Sequence, residues 1–150
     1  MRVREEHGLA LRIYLDASVL VALHTPDRFQ ERATRFIETL RPELLLSDFG
    51  AAEFSSAVAR MVRTSMLAET EARICFTDFD AWMARGVVEM PVISADIRIA
   101  DGFVRRLDPP LRAPDAIHLA IAQRLGASLA TFDRQMVAAA ANFGVTMAEI

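Results

Sequence analysis

The sequence contains no lysine, so all 17 of its basic side chains are arginine. A P-loop needs its phosphate-gripping lysine, and no G-x-x-x-x-G-K-[ST] stretch exists here, which closes that route to nucleotide chemistry. Cysteine is nearly as scarce. Cys75 stands alone, cannot make an internal disulfide and has no base near it in sequence, so it reads as a small core residue and not as a nucleophile. Long apolar runs are missing too: nothing approaches the roughly 20 residues of a membrane span, and Met1 to Arg12 carries charge without an apolar secretory core. A cytoplasmic protein is expected. A basic excess is also absent, because the net charge is −3 where a phosphate-binding surface ordinarily shows as a basic patch.

What is present suits one domain. At 150 residues and 53% apolar composition the chain can bury one substantial core, and residues 1–150 are expected to form a single unit with 1–11 as an N-terminal arm. Ile13 to Asp16 reads as a short buried strand ending in an acid, followed by Ser18 and a helical stretch, Val19 to Leu23. Ala33, Phe36, Ile37 and Leu40 recur at the three- and four-residue spacings of an amphipathic helix, which Pro42 closes. Leu44 to Leu46 is the second strand, and Ser47 or Asp48 caps a helix from about Phe49 to Val62. Glu69 to Arg85 reads as helix ending at Gly86, then Val87 to Met90 as the third strand. Ser94 is expected to cap a helix that runs to Leu107 and stops at Pro109 and Pro110. Pro114 suits the first turn of the helix Asp115 to Leu125, Ser128 to Thr131 is the fourth strand, and Asp133 opens a last helix ending by Gly144. Strands alternating with helices imply an α/β fold of three layers, α/β/α, around a mostly parallel sheet.

Four carboxylates fall where such a sheet builds its sites. Asp16 ends the first strand, Glu53 lies about one turn into the helix after the second, Asp115 opens a helix, and Asp133 follows the fourth strand. Singly, each has a plain structural reading: Asp16, Asp115 and Asp133 as caps or dipole partners, Glu53 as an exposed helix residue. Their surroundings point elsewhere. Leu15 and Ala17 flank Asp16, Ala51, Ala52 and Phe54 surround Glu53, and Ala116, Ile117 and Leu119 follow Asp115, so these acids sit at the edges of apolar layers. Receiver domains and haloacid-dehalogenase-type phosphatases resemble the N-terminal strand-and-Asp motif, but both use a lysine on the phosphoryl group that this chain cannot supply. Carboxylates gathered without a basic partner repel one another. Mg²⁺ or Mn²⁺, which prefer carboxylate oxygen and water, resolve that conflict and suit phosphoryl-transfer chemistry.

The segments I13-Y-L-D-A-S-V-L-V-A, A52-E-F, L111-R-A-P-D-A-I-H-L-A and L129-A-T-F-D-R resemble, in order and context, the motifs of PIN-domain proteins of the VapC toxin group, over roughly residues 12 to 146. The resemblance implies a PIN-like fold and an acidic site of Asp16, Glu53, Asp115 and Asp133, with Thr131 and Ser18 supplying hydroxyls. It implies Mg²⁺- or Mn²⁺-dependent endonucleolytic cleavage of RNA by a metal-activated water. A homodimer and a small antitoxin whose C-terminal segment covers the acidic groove are implied as well.

Other polar residues carry weaker signals. Arg112 and Arg134 each neighbour a site acid and are the candidates for phosphate contact with RNA; Arg60, Arg63, Arg105 and Arg106 either extend that path or form a solvated face. His118 reads as structural, His7 and His24 show no partner spacing, and Asp96 is the rival for a site position although Ser94-Ala-Asp96 also suits a helix start. Asp78 and Asp80 are expected in solvent, with Phe76, Phe79 and Trp82 in core or interface. Two alternatives stand beside the nuclease: an inert interaction module of the same fold, and a metal-dependent phosphatase.

Overall fold

The computed structural model describes residues 11–150; the expected arm and His7 fall outside the described residues except for Leu11. Four short strands, β1 (Arg12–Leu15), β2 (Glu43–Ser47), β3 (Val88–Met90) and β4 (Ser128–Ala130), form one sheet in the order β3-β2-β1-β4, and every pairing is parallel. The chain lays β2 and β3 to one side of β1 and then returns to place β4 on the other. That reversal opens a crevice at the carboxyl ends of β1 and β4, the ordinary place for a site in such sheets.

Alternation within the strands makes the three layers. Ile13, Leu15, Leu44, Leu46 and Ala130 point to one face and are buried with residues of α1 (Ala17–His24), α2 (Gln30–Leu40), α3 (Asp48–Arg63) and α4 (Glu69–Ala84). Tyr14, Leu45 and Leu129 point to the other and pack with α5 (Ser94–Val104), α6 (Ala113–Leu125) and α7 (Arg134–Ala140). A period of two with apolar residues at both phases requires cover on both faces. This is the expected three-layer α/β/α architecture. Thr146 to Ala148 adds a fifth, parallel ribbon beside β4, through Leu129 N–H to Thr146 O and Ala148 N–H to Leu129 O, both 2.8 Å. Its sequence carries no run of β-formers, so only the neighbouring strand reveals it.

The helix starts follow local chemistry. Asp16 accepts the amides of Ser18 and Val19, Ser47 that of Gly50, and Asp133 those of Gln135 and Met136. Ser94 does not cap α5, contrary to expectation. Ile93 holds the cap position, and the Asp96 carboxylate reaches back three residues to its amide at 2.9 Å. That helix also ends at Val104, short of Leu107, whose φ of 65° turns the chain left-handed before the prolines. Cys75 is only half-buried: it lies three residues after Ala72 and four before Phe79, at the margin of the face of α4 that those two bury.

Asp96 is fully buried, and its second role settles its place. Arg124 of α6 grips it with two hydrogen bonds, Nε to Oδ1 at 2.7 Å and Nη2 to Oδ2 at 2.9 Å, and also reaches the Pro91 carbonyl. This ion pair pins the start of α5 to the end of α6. Asp96→Ala strands the guanidinium and uncaps α5, and removing one partner of a buried pair costs about 3 kcal/mol. Urea unfolding is expected to show a loss of that order; a change below about 1 kcal/mol, the range of exposed pairs, would contradict the pinning role.

Candidate active site

Asp16 leaves β1 at its carboxyl end and turns at once into α1, so its carboxylate lies at the seam with β4, only 3% exposed. Oδ1 accepts three hydrogen bonds, from the amides of Ser18 and Val19 at 3.0 and 3.3 Å and from the Ser18 hydroxyl at 2.6 Å. Oδ2 accepts one, from Thr131 Oγ1 at 2.5 Å. Both hydroxyls are themselves held. Phe132 N–H donates to Ser18 Oγ at 2.9 Å and Asp133 N–H to Thr131 Oγ1 at 3.0 Å, so the chain leaving β4 is tied to Asp16 through two hydroxyl bridges. Burial raises the Asp16 pKa, and the Ser18 and Thr131 hydrogen bonds oppose the rise.

Asp115 stands in the first turn of α6 with its side chain 14% exposed. Its pKa is raised, first by burial and then by the charge of Asp133, with Glu53 adding to the same push; Arg112, 3.9 Å away and itself 82% exposed, pulls in the opposite direction. Glu53 reaches in from α3, with 28% of its side chain exposed and its Oε2 against His118 Nε2. The structure thus joins Asp16, Ser18 and Thr131 by hydrogen bonds, and brings Asp115, Asp133 and Glu53 within electrostatic reach. Arg134, on the turn after Asp133, is exposed.

The donor set is carboxylate and hydroxyl oxygen, the chemistry that Mg²⁺ and Mn²⁺ prefer. Among the described residues no three acidic, histidine or cysteine side chains already close around a common point. A small hard ion keeps several of its waters and needs only one or two carboxylates directly, so an open acidic rim fits it. Asp16 Oδ2, with a single hydrogen bond, retains a lone pair for that purpose.

Other candidates fall elsewhere. Phe76, Phe79 and Trp82 pack around Phe54 and His24 between α1, α3 and α4, which removes them from any role in stacking bases. His24, with Nε2 lacking a partner in that aromatic box, has its pKa lowered by burial to about 4. Arg105 pairs with Asp101, and Arg106 lies over Phe103 and Phe143, so neither extends a path from the acids. Asp78 and Asp80 are exposed. Tyr14 and Ser47 were unflagged by sequence, yet both are buried beside His118; a tyrosine in an otherwise apolar strand was the available signal, since a buried phenol needs a partner.

Comparison with known proteins places these residues in a wider group. A family profile described as the PIN domain matches residues 13–142. Ribonuclease VapC46 of Mycobacterium tuberculosis is 32% identical over 141 residues, covering 90% of this chain and 95% of that protein. The crystal structure of Mycobacterium tuberculosis VapC20, a sarcin-ricin loop cleaving toxin, superposes with a TM-score of 0.69 at 19% identity over 85% of this chain and 94% of that one. A toxin-antitoxin complex from Klebsiella pneumoniae matches with a TM-score of 0.55 at 18% identity, covering 81% and 86%.

The buried acids make stability depend on pH in a definite sense. A carboxyl whose folded pKa is raised binds its proton more tightly folded than unfolded, so it favours folding below the ordinary carboxylate range and loses that advantage as pH climbs through the raised value. Asn at position 16 keeps an Oδ1 acceptor and carries no charge. In protein stripped of divalent ions, Asp16→Asn is expected to melt above wild type at pH 7, with the gap closing below about pH 4. A variant that melts lower at pH 7 would mean that the hydrogen bonds to the carboxylate outweigh its burial.

Proposed function

The chain belongs to the PIN-domain family, and on that premise we propose that it is a metal-dependent endoribonuclease acting as the toxin of a toxin–antitoxin pair. The observation that carries this reading is the buried Asp16 carboxylate in its hydroxyl cradle, together with an Asp115 carboxyl whose pKa is raised by burial and then by the charges of Asp133 and Glu53. Caps alone need no such crowding of like charge. A family relative named a ribonuclease, matched along nearly its whole length, supports RNA as the substrate.

In this reading Asp16, Glu53, Asp115 and Asp133 hold Mg²⁺ or Mn²⁺, which when bound neutralises charge on the scissile phosphodiester and acidifies the attacking water. The protein's own task is to keep the carboxylates ionised, fixed and correctly aimed. Ser18 and Thr131 do this for Asp16 by donating to opposite oxygens, which sets the plane of the carboxylate. Asp133 is fixed through its own amide on Thr131 and by capping α7. Arg112 and Arg134, both exposed at the rim, contact phosphates flanking the cleaved bond and offset the negative charge of the site toward a polyanion. In this reading water attacks the phosphodiester directly and no covalent intermediate forms.

An antitoxin partner is supported by the solved toxin-antitoxin complex of similar fold. Exposed Val88, Ile93 and Ile97, from the outer strand β3 into α5, leave apolar surface consistent with a homodimer. No helix among the described residues is long and apolar enough to cross a membrane, which accords with work on RNA in the cytoplasm.

Incubation of the purified protein with mixed transfer and ribosomal RNA and Mn²⁺ tests the proposal. Defined fragments are expected, abolished by EDTA and reduced at least about 100-fold by Asp115→Asn, beyond the usual effect of losing a supporting partner. Cleavage that survives EDTA, or that Asp115→Asn leaves intact, would refute the metal-site mechanism. Turnover of a phosphomonoester in place of RNA would indicate a phosphatase, and absence of both activities together with absence of bound Mn²⁺ would indicate an inert binding module.

A further inference from the structure

Beneath the acidic rim lies a buried polar chain that starts at the α3 cap and extends well beyond it. Gly50 N–H donates to Ser47 Oγ at 2.9 Å, Ser47 Oγ lies 2.8 Å from Tyr14 Oη, Tyr14 Oη lies 2.7 Å from His118 Nδ1, and His118 Nε2 meets Glu53 Oε2. Four elements contribute: β1, the end of β2, α3 and α6. Tyr14 and Ser47 are fully buried and His118 is 2% exposed, so none can turn to water for a substitute partner.

An amide N–H only donates, so Ser47 Oγ accepts from Gly50. Tyr14 Oη, shared by Ser47 Oγ and His118 Nδ1, is the link that joins the start of α3 to the imidazole, and burial leaves neither neighbour a substitute for it.

We infer that this buried chain of hydrogen bonds from Gly50 through Ser47 and Tyr14 to His118 holds the Glu53 carboxylate toward the site, making Tyr14 and His118 positioning residues. The inference rests on the proposed acidic site, since it assigns a purpose to the orientation of Glu53. Glu53 projects from a helix, where a free carboxylate samples several rotamers; the hydrogen bond between its Oε2 and His118 Nε2 selects a single arrangement. Gly50 fits the same design. A Cβ there would come within 3.1 Å of Leu46 Cδ1 and 3.3 Å of Ser47 Oγ, crowding the first link of the chain.

Two variants test it. Tyr14→Phe deletes one oxygen and keeps the core volume. It is expected to weaken Mn²⁺ binding, read by calorimetry, about tenfold and to lower kcat with KM for RNA changed less than about twofold. Ser47→Ala, one link further back, acts in the same direction with smaller effect. Unchanged Mn²⁺ binding and kcat in both variants overturn the positioning role. If the wild type cuts no RNA, the nuclease reading fails on its own, while the Mn²⁺ affinities still decide the positioning role.

Discussion

A carboxylate buried at the seam of two parallel strands has to be fed with hydrogen-bond donors, and Asp16 draws them from everything around it. Its Oδ1 caps α1, and its Oδ2 takes the Thr131 hydroxyl from the end of β4. Ser18 and Thr131 then hold the amides of Phe132 and Asp133, which sets where α7 begins. The first strand, the first helix, the fourth strand and the last helix are thereby joined at one residue. Burial works against the charge and the hydrogen bonds work for it, and the raised pKa shows that burial has the larger say. Such a group is tense in the absence of a cation, and that tension is the physical link between fold and proposed chemistry.

The other side of the site is built on a second principle. Glu53 is less buried, and its charge is met by a histidine instead of hydroxyls and amides. The relay behind that histidine spans the sheet from β2 to α6 and passes through the hydroxyl of a residue otherwise buried as core. Asp16 and Glu53 are therefore anchored by independent networks, one at the β1–β4 seam and one beneath α3. Two hydrogen-bonded supports, with the exposed Arg112 and Arg134 next to Asp115 and Asp133, suit the proposed polyanion: fixed acids for chemistry, exposed cations for grip.

Much of this was readable along the chain. Alternating apolar strands of three to five residues, bounded by Pro42, Gly86 and Gly126, announced a parallel sheet covered on both faces, and the four acids fell at strand ends and helix starts where local rules place them. Local rules misled where two readings of one acid competed. Asp96 looked eligible for the site, and in space it is consumed by Arg124, 28 positions away. The cap of α5 went to the same acid and not to Ser94, because a carboxylate reaching back from the third helical position satisfied the Ile93 amide. Cys75, read as a core residue, is half-buried at the margin of the face that Ala72 and Phe79 bury.

Periodicity, capping and the absence of lysine are properties of neighbours in sequence, and they sufficed to define the layers, the strand polarity and the acidic character of the site. Partner choice across long separations is a different matter. Tyr14 meets His118 across 104 positions and Thr131 meets Asp16 across 115, and nothing in the spacing of those residues encodes either contact. Only the packed sheet, by bringing β1 between β2 and β4 and laying α6 over Tyr14, decides which hydroxyl feeds which carboxylate.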